Sequence, residues 1–247
     1  MKHLDKNNII TNQQHGFRKN RSCVTQLITT LNDFTNCIND RGQTDAILLD
    51  FSKAFDKVDH LGLIDKMTAY GISEDILKWT RSFLHDRKQK VIVEGIESDP
   101  HPVLSGVPQG TVLGPLFFLI YINDIGNNLS PGTKLSLFAD DSLLYRDIKS
   151  VKDCEILQKD LDSLQEWEGK WKMEFHPGKC QVLKISRKRK DHKINYDYKI
   201  HKQILKETNS AKYLGVTIDS ELRWREQTQQ VQRKANNTVA FLKRNIP

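Results

Sequence analysis

Ala46-Ile47-Leu48-Leu49-Asp50-Phe51-Ser52-Lys53-Ala54-Phe55-Asp56 is the stretch whose reading decides the fold. Four consecutive apolar residues read as a short, fully buried strand. The run ends on Asp50, so a carboxylate stands at the mouth of a buried strand. Further along, Leu135-Ser136-Leu137-Phe138 and Leu143-Leu144-Tyr145 flank Asp140-Asp141. Two apolar runs around a short polar turn predict a hairpin with two acids at its tip. Between these pieces, Ser105-Gly106-Val107-Pro108-Gln109-Gly110 places two glycines around Val-Pro-Gln.

Each piece alone has a plain structural explanation. An Asp at a strand end is a common turn former, and adjacent acids are ordinary in turns. The glycine pair reads as a turn leading into a helix at Pro115. Together they say more. Three converging carboxylates can hold two divalent cations, and such a pair can drive in-line phosphoryl transfer. Oxygen ligands suit Mg2+, which takes its remaining ligands from water and substrate phosphates. Without a cation, carboxylates packed this way repel one another. The glycines lack a Cβ, so a base pair can approach the backbone around Gln109 closely.

With 247 residues, 38% of them hydrophobic, the chain can bury a sizeable core as one large domain or one and a half. A net charge of +7 suits a polyanionic partner and equally an ordinary basic protein. The four cysteines, Cys23, Cys37, Cys154 and Cys180, form no CxxC pair, so zinc spacing is lacking and reduced thiols are expected. The polar start has no signal-peptide pattern. The longest apolar run, residues 112–122, is broken by Gly114 and Pro115 and too short for a bilayer, so no membrane partner is expected. The expected location is intracellular, in nucleus or cytoplasm.

Apolar spacing predicts a helix through Val24, Leu27, Ile28, Leu31 and Phe34, with Gly42 as its stop signal. A second runs through Leu61, Leu63, Ile64, Met67 and Tyr70 to Gly71. A third begins at Ser73, with Ile76, Leu77, Thr80, Phe83 and Leu84 as its apolar face. Val91-Ile92-Val93 reads as a strand, and Pro115 opens a helix through Leu116, Leu119, Ile120 and Ile122. Ser150 starts a long helix whose stripe is Cys154, Leu157, Leu161, Leu164, Trp167 and Trp171. Residues 182–185 and 213–218 read as strands. From Arg223 a polar helix follows, anchored by Val231, Val239, Phe241 and Leu242. Helices mixed with hairpins indicate an α+β chain rather than a regular βα alternation.

In order and spacing these pieces resemble a reverse transcriptase of the non-LTR, LINE-type retrotransposon class, over nearly the whole chain. His15-Gly16-Phe17-Arg18-Lys19-Asn20-Arg21-Ser22 resembles the QxGFRxxRS segment of that family's fingers. Asp50 to Val58 resembles its motif A, and Ser105 to Pro115 its motif B. Phe138-Ala139-Asp140-Asp141 resembles motif C in the FADD form, His176-Pro177-Gly178-Lys179-Cys180 the end of motif D, and Tyr213-Leu214-Gly215-Val216 the hairpin that follows. The resemblance implies a right-hand polymerase palm with partial fingers over residues 1–218 and the start of a thumb over 219–247. It implies RNA-directed DNA synthesis with two Mg2+ ions, Mn2+ being an alternative, on an RNA template with a DNA primer or target and deoxynucleoside triphosphates.

The resemblance also implies roles. Asp50 and Asp140 would ligate both metals, with Asp141 assisting near the primer end. Phe51 and Ser52 would offer backbone N–H groups to the triphosphate. Phe55 would stack under the sugar and exclude a 2′-hydroxyl. Pro108, Gln109 and Gly110 would sit against the nascent base pair, and Lys179 would reach the leaving pyrophosphate unless it is a solvated turn lysine. Arg18 and Arg21 are candidates for template or triphosphate contact. Arg187-Lys188-Arg189-Lys190 reads as a solvated hairpin tip, with backbone tracking or nuclear targeting as the other readings. Asp56 is expected to cap the helix that follows.

The family's earlier fingers segment with an Arg-Pro-Ile pattern is not seen before His15, and the thumb is short, so weak processivity is expected. A non-catalytic, nucleic-acid-binding palm is one alternative reading. An RNA-dependent RNA polymerase is another, disfavoured by the bulky Phe55 and by Ala139 before the acid pair.

Overall fold

The four apolar residues at 46–49 do form a strand, and it lies at the centre of a sheet with both faces buried. A computed structural model describes residues 2–246. In chain order the elements are α1 (Lys2–Lys6), α2 (Cys23–Asn39), β1 (Thr44–Leu49), α3 (His60–Ala69), α4 (Glu74–Leu84), β2 (Lys88–Gln89), β3 (Ile92–Val93), β4 (Ile96–Glu97), β5 (His101–Pro102), α5 (Leu113–Ile122), β6 (Thr133–Phe138), β7 (Asp141–Asp147), α6 (Val151–Lys170), β8 (Gln181–Ile185), β9 (Lys199–Ile200), β10 (Gln203–Ile204), β11 (Lys206–Thr208), β12 (Ser210–Tyr213), β13 (Val216–Asp219) and α7 (Arg225–Asn245).

The main sheet has the order β11-β8-β1-β7-β6. β1 pairs antiparallel with β7 on one side and β8 on the other, and β11 runs parallel to β8. Side chains alternate between the two faces along each strand. Ile47, Leu49, Leu135, Leu137, Leu144 and Val182 join the larger core, with residues of α3, α5 and α6. Ala46, Leu143, Tyr145, Leu183 and Ile185 join the smaller core, with residues of α2 and of the β12–β13 hairpin. Full burial of one Leu or Ile contributes roughly 1.5–3 kcal/mol, so a sheet clad on both sides is held mainly by these residues.

Helix ends follow local chemistry. Ser22 caps α2 by accepting the Thr25 N–H at 3.2 Å, while Thr25 Oγ1 accepts the Ser22 N–H at 2.9 Å, a reciprocal box. The helix stops at Asp40, with Arg41 rather than Gly42 in the left-handed region (φ 53°). The cap of α3 is Asp59, whose Oδ2 accepts the Gly62 N–H at 2.8 Å, and not Asp56 as the sequence suggested. Although partial burial works against it, bonds from Lys172 and the Gly62 N–H hold the Asp59 carboxyl below the usual carboxylate range. Replacing Asp59 with Ala is expected to lower stability by about 1 kcal/mol through the lost cap. Chemical denaturation tests this; an unchanged midpoint and slope would contradict the capping role.

Three other expectations change. The strand expected at Val91-Ile92-Val93 does form but is shorter: Ile92 and Val93 make an exposed two-residue pair with β4. Residues 213–218 are not one strand, because Leu214 (φ 46°) and Gly215 (φ 86°) form the tight turn between β12 and β13. Consecutive positive φ values match the right-handed twist of a hairpin. The apolar anchors of α7, Val231, Val239, Phe241 and Leu242, are all exposed. This helix meets the rest of the chain mainly at β13, where Gln227 and Gln230 accept from the Thr217 N–H and hydroxyl. All four cysteines are free thiols. Among the described residues, no helix is long and apolar enough to cross a membrane.

Candidate active site

The strand period fixes where the acids point. Asp50 follows β1 in phase with Ala46 and Leu48, and Asp141 opens β7 in phase with Leu143 and Tyr145, so both lie towards the face covered by the β12–β13 hairpin. The last β1–β7 pair is Leu49 with Ser142. One step further, the register sets Asp50 opposite Asp141. Phe138 pairs with Asp141 across a two-residue turn of Ala139 and Asp140, which puts Asp140 at the exposed tip beside them.

Asp50 and Asp141 line a common cavity of about 200 Å³ with Leu48, Leu49, Ser142, Lys179, Gln181, Lys212 and Tyr213. Desolvation first, then the charges of Asp140 and Asp50, push the Asp141 carboxyl above its usual range. The charges of Asp140 and Asp50 thus both reach Asp141. Lys179 Nζ stands 3.8 Å from Asp50 Oδ2, so the lysine does belong to the acid cavity. Among the described residues, no three His, Cys, Asp or Glu side chains are drawn close enough to enclose a metal ion.

The backbone of Asp50 is fixed by the segment before Lys179. His176 N–H donates to Asp50 O at 2.8 Å, and Ser52 N–H donates to Glu174 O at 2.7 Å. Phe51 is buried, its ring stacked on Phe175 at 4.4 Å. The Ser52 N–H is thus already engaged, and the triphosphate contact expected of that group is not available in this conformation. Glu168 of α6 supports the same segment by accepting the Phe175 N–H at 2.8 Å.

A second cavity, of about 540 Å³, is lined by Lys53, Asp56, Arg87, Gln89 and residues 102–109. Here Gln109 Nε2 donates to Asp56 Oδ1 at 2.9 Å, which gives Asp56 a structural role other than the helix cap expected of it. The turn that carries Gln109 is stitched to the segment after Asp50. Val107 N–H donates to Phe55 O at 2.9 Å, Gly106 N–H to Val58 O at 2.8 Å, and the Ser105 hydroxyl to Asp56 O at 2.8 Å. Gly106 (φ 88°) permits this: a Cβ there would lie 2.8 Å from the Asp56 backbone. Pro108 O accepts the Thr111 hydroxyl at 2.8 Å, and Gly110 (φ 74°) faces open space. The Phe55 ring is half-buried and stacked on Phe118 at 4.4 Å, so its position is set by α5. Pro108 and Gln109 thus line the second cavity, and Asp50, Asp141 and Lys179 the first, with Asp140 in the turn beside it.

Arg18 and Arg21 are taken up in folding their own loop. Arg18 donates to Ile10 O and Thr11 O, and Arg21 to Asn12 O and Asn12 Oδ1. Arg187 donates to Glu221 O, which ties the basic run to the loop after β13 rather than leaving a free hairpin tip.

The family model for reverse transcriptase (RNA-dependent DNA polymerase) matches residues 1–218, a span that carries both cavities. The chain belongs to the reverse transcriptase family. It is 32% identical over 219 residues to the RNA-directed DNA polymerase from mobile element jockey of Drosophila funebris, covering 86% of this chain and 24% of that protein. It is 30% identical over 231 residues to the probable RNA-directed DNA polymerase from transposon BS of Drosophila melanogaster, covering 87% and 24%. The chain therefore spans about a quarter of the length of these curated relatives. Among solved structures, apo telomerase from Candida tropicalis superposes with a TM-score of 0.60 at 14% identity, covering 89% of this chain and 38% of that one. That likeness identifies the mixed α+β polymerase fold.

Sequence reasoning missed Lys212 and Tyr213 as walls of the acid cavity, and Gln14, a buried side chain bonded to the acid turn. The Leu214-Gly215 turn was the available signal for the first two. For Gln14 the available signal was its place as the first residue of the QxGFRxxRS-like segment; polarity alone does not mark a Gln as buried.

Proposed function

We propose that the chain carries out RNA-directed DNA synthesis, transferring deoxynucleotides to a primer 3′-hydroxyl on an RNA template. The observation that carries this reading is the β1–β7 register, which sets Asp50 opposite Asp141 with Asp140 in the adjoining turn, in a chain of the reverse transcriptase family. Residues 1–218 would form partial fingers and palm, and 219–247 the start of a thumb.

In chemistry, though not in the spacing of the described side chains, the donor set suits two hard divalent cations. It is all oxygen, and the Asp141 carboxyl, raised first by burial and then by the charges of Asp140 and Asp50, is one that a cation would favour in its ionised form. Asp50 and Asp140 would hold both ions, with Asp141 as the assisting acid. Bound there, Mg2+ or Mn2+ lowers the pKa of the attacking hydroxyl and neutralises charge on the transferring phosphate. The protein's own groups do the rest. The ladder from His176 and Glu174 fixes the backbone that carries Asp50. Phe55, braced by Phe118, stands under the sugar and excludes a 2′-hydroxyl. Gln109, held by Asp56, faces the nascent base pair with Pro108 and Gly110. Lys179 reaches the leaving pyrophosphate from its place beside Asp50, and Phe51 offers its backbone N–H to the triphosphate. RNA template, DNA primer or target and deoxynucleotides are then the partners.

Primer extension on an RNA template tests the reading. Mg2+-dependent deoxynucleotide incorporation that stops with a chelator is expected, and preferred incorporation of ribonucleotides would overturn it. Phe55→Val is expected to raise ribonucleotide use relative to deoxynucleotide use by about tenfold or more, because rejection rests on the ring's bulk. An unchanged ratio removes Phe55 as the sugar gate.

A further inference from the structure

Gln14 is 1% exposed, although the segment around it is polar. Residues 13–15 lie along the outer edge of β6. His15 N–H donates to Leu137 O at 2.8 Å, and Leu137 N–H donates to Gln13 O at 3.0 Å. This lays the Gln14 side chain against the turn that bears the acids. Its Oε1 accepts the Ala139 N–H at 2.9 Å and the Gly16 N–H at 2.7 Å, while its Nε2 donates to Ala139 O at 3.3 Å. Two converging N–H donors require an acceptor, so the chemistry itself fixes which end of the amide is oxygen.

Ala139 is a non-glycine residue with φ 54°. That conformation is unfavourable for an L-residue and persists only where its surroundings hold it. Gln14 satisfies both backbone polar groups of this one residue. Gly16 closes the other side: a Cβ there would fall 2.3 Å from Ala139 N, so only glycine lets the segment lie this close. Asp140 and Asp141 follow directly, and the torsion of Ala139 sets the direction in which they leave the strand.

We propose that Gln14 is a positioning residue for Asp140 and Asp141, its buried amide locking Ala139 in the left-handed conformation that presents the two acids. The proposal rests on the reading that these acids bind divalent cations. Gln14→Met keeps the length and packing but removes the polar atoms, whereas Gln14→Glu keeps the acceptor oxygen. In the full chain, Mn2+ affinity measured by electron paramagnetic resonance should fall roughly 10- to 100-fold in Gln14→Met, as for loss of an outer partner of a ligand. Gln14→Glu should retain more of it.

Unchanged affinity in folded Gln14→Met, in a protein whose affinity does fall with Asp50→Asn, overturns the proposal and leaves the functional reading intact. Mn2+ binding indifferent to Asp50→Asn overturns both. A further measurement needs no variant. Hydrogen exchange at the Ala139 amide should be protected in the unmutated chain, and exchange at the intrinsic rate overturns the lock however the variants fold.

Discussion

Asn in place of Asp140 is expected to abolish primer extension, with a loss of at least roughly 10²- to 10³-fold, the range for removing one preorganised transition-state contact. The side chain keeps its size and stands exposed at the tip of a two-residue turn, so the fold should not change. What changes is charge. Burial, and after it the charges of Asp140 and Asp50, raises the Asp141 carboxyl at this end of the sheet. If Asp140 holds the ions as proposed, removing its charge removes a ligand where negative charge develops on the transferring phosphate, so the loss should appear in kcat rather than in nucleic-acid affinity. Single-turnover extension and template–primer binding, measured on one preparation, separate the two effects. Retained extension would take Asp140 out of the mechanism; parallel loss of binding would make its role structural.

The second large effect concerns stability. Lys66 is almost fully buried where α3, α5 and α6 meet behind the sheet. Its Nζ donates to Asp124 and to Tyr121 O and lies 3.7 Å from the centre of the Trp171 ring. Burial lowers its pKa from 10.5 to about 8, and the bond to Asp124 only partly offsets this. Between those values the unfolded chain binds more protons than the folded one, so this group makes stability rise with pH. Below pH 8 the ammonium is charged in both states and its burial cost is fully felt. As pH climbs towards 10.5 the folded state sheds the proton first. From pH 7.5 to 10 the gain should be about 2 kcal/mol. In Lys66→Met it should be absent, leaving the difference between variant and wild type strongly pH-dependent. Urea denaturation of both proteins at the two pH values measures this, and parallel curves would contradict it.

The parts of the fold legible from sequence were those where local pattern and tertiary outcome agree. Residues 46–49 are buried on both faces and are apolar without a break, and 135–145 alternate around a polar turn, so β1 and the β6–β7 hairpin could be read directly. The stripe of α6 was equally plain, because Cys154, Leu157, Leu161 and Leu164 recur at helical spacing and all are buried. Other positions misled because local pattern does not report partners. Ile92 and Val93 have strand propensity but meet only a two-residue neighbour, and the apolar residues of α7 have helical spacing with nothing laid over them. Asp56 and Asp59 are both acids ahead of α3, and only geometry shows that Asp59 caps the helix while Asp56 holds Gln109.

The site divides in the same way. Asp50, Asp140 and Asp141 announce themselves through residue type and context. Their approach depends on the β1–β7 register, a non-local pairing that sets Asp50 opposite Asp141 beside the turn that carries Asp140. The supporting residues left almost no trace in sequence. Gln14 is a polar residue among polar residues, marked only as the first residue of the QxGFRxxRS-like segment, Glu168 is a charged residue whose burial on α6 residue type does not announce, and each is significant because its side chain satisfies the backbone that carries an acid or braces it.

Counting Mn2+ by electron paramagnetic resonance tests the shared cation site most directly. The count should be made on the chain bound to an RNA template, a primer ending in a 3′-deoxynucleotide and the next deoxynucleoside triphosphate. Two ions per complex are expected for the wild type, with both lost or greatly weakened in Asp50→Asn and in Asp140→Asn. The same stoichiometry and affinity in all three proteins would show that the acids do not hold the ions, and would contradict the account at its base.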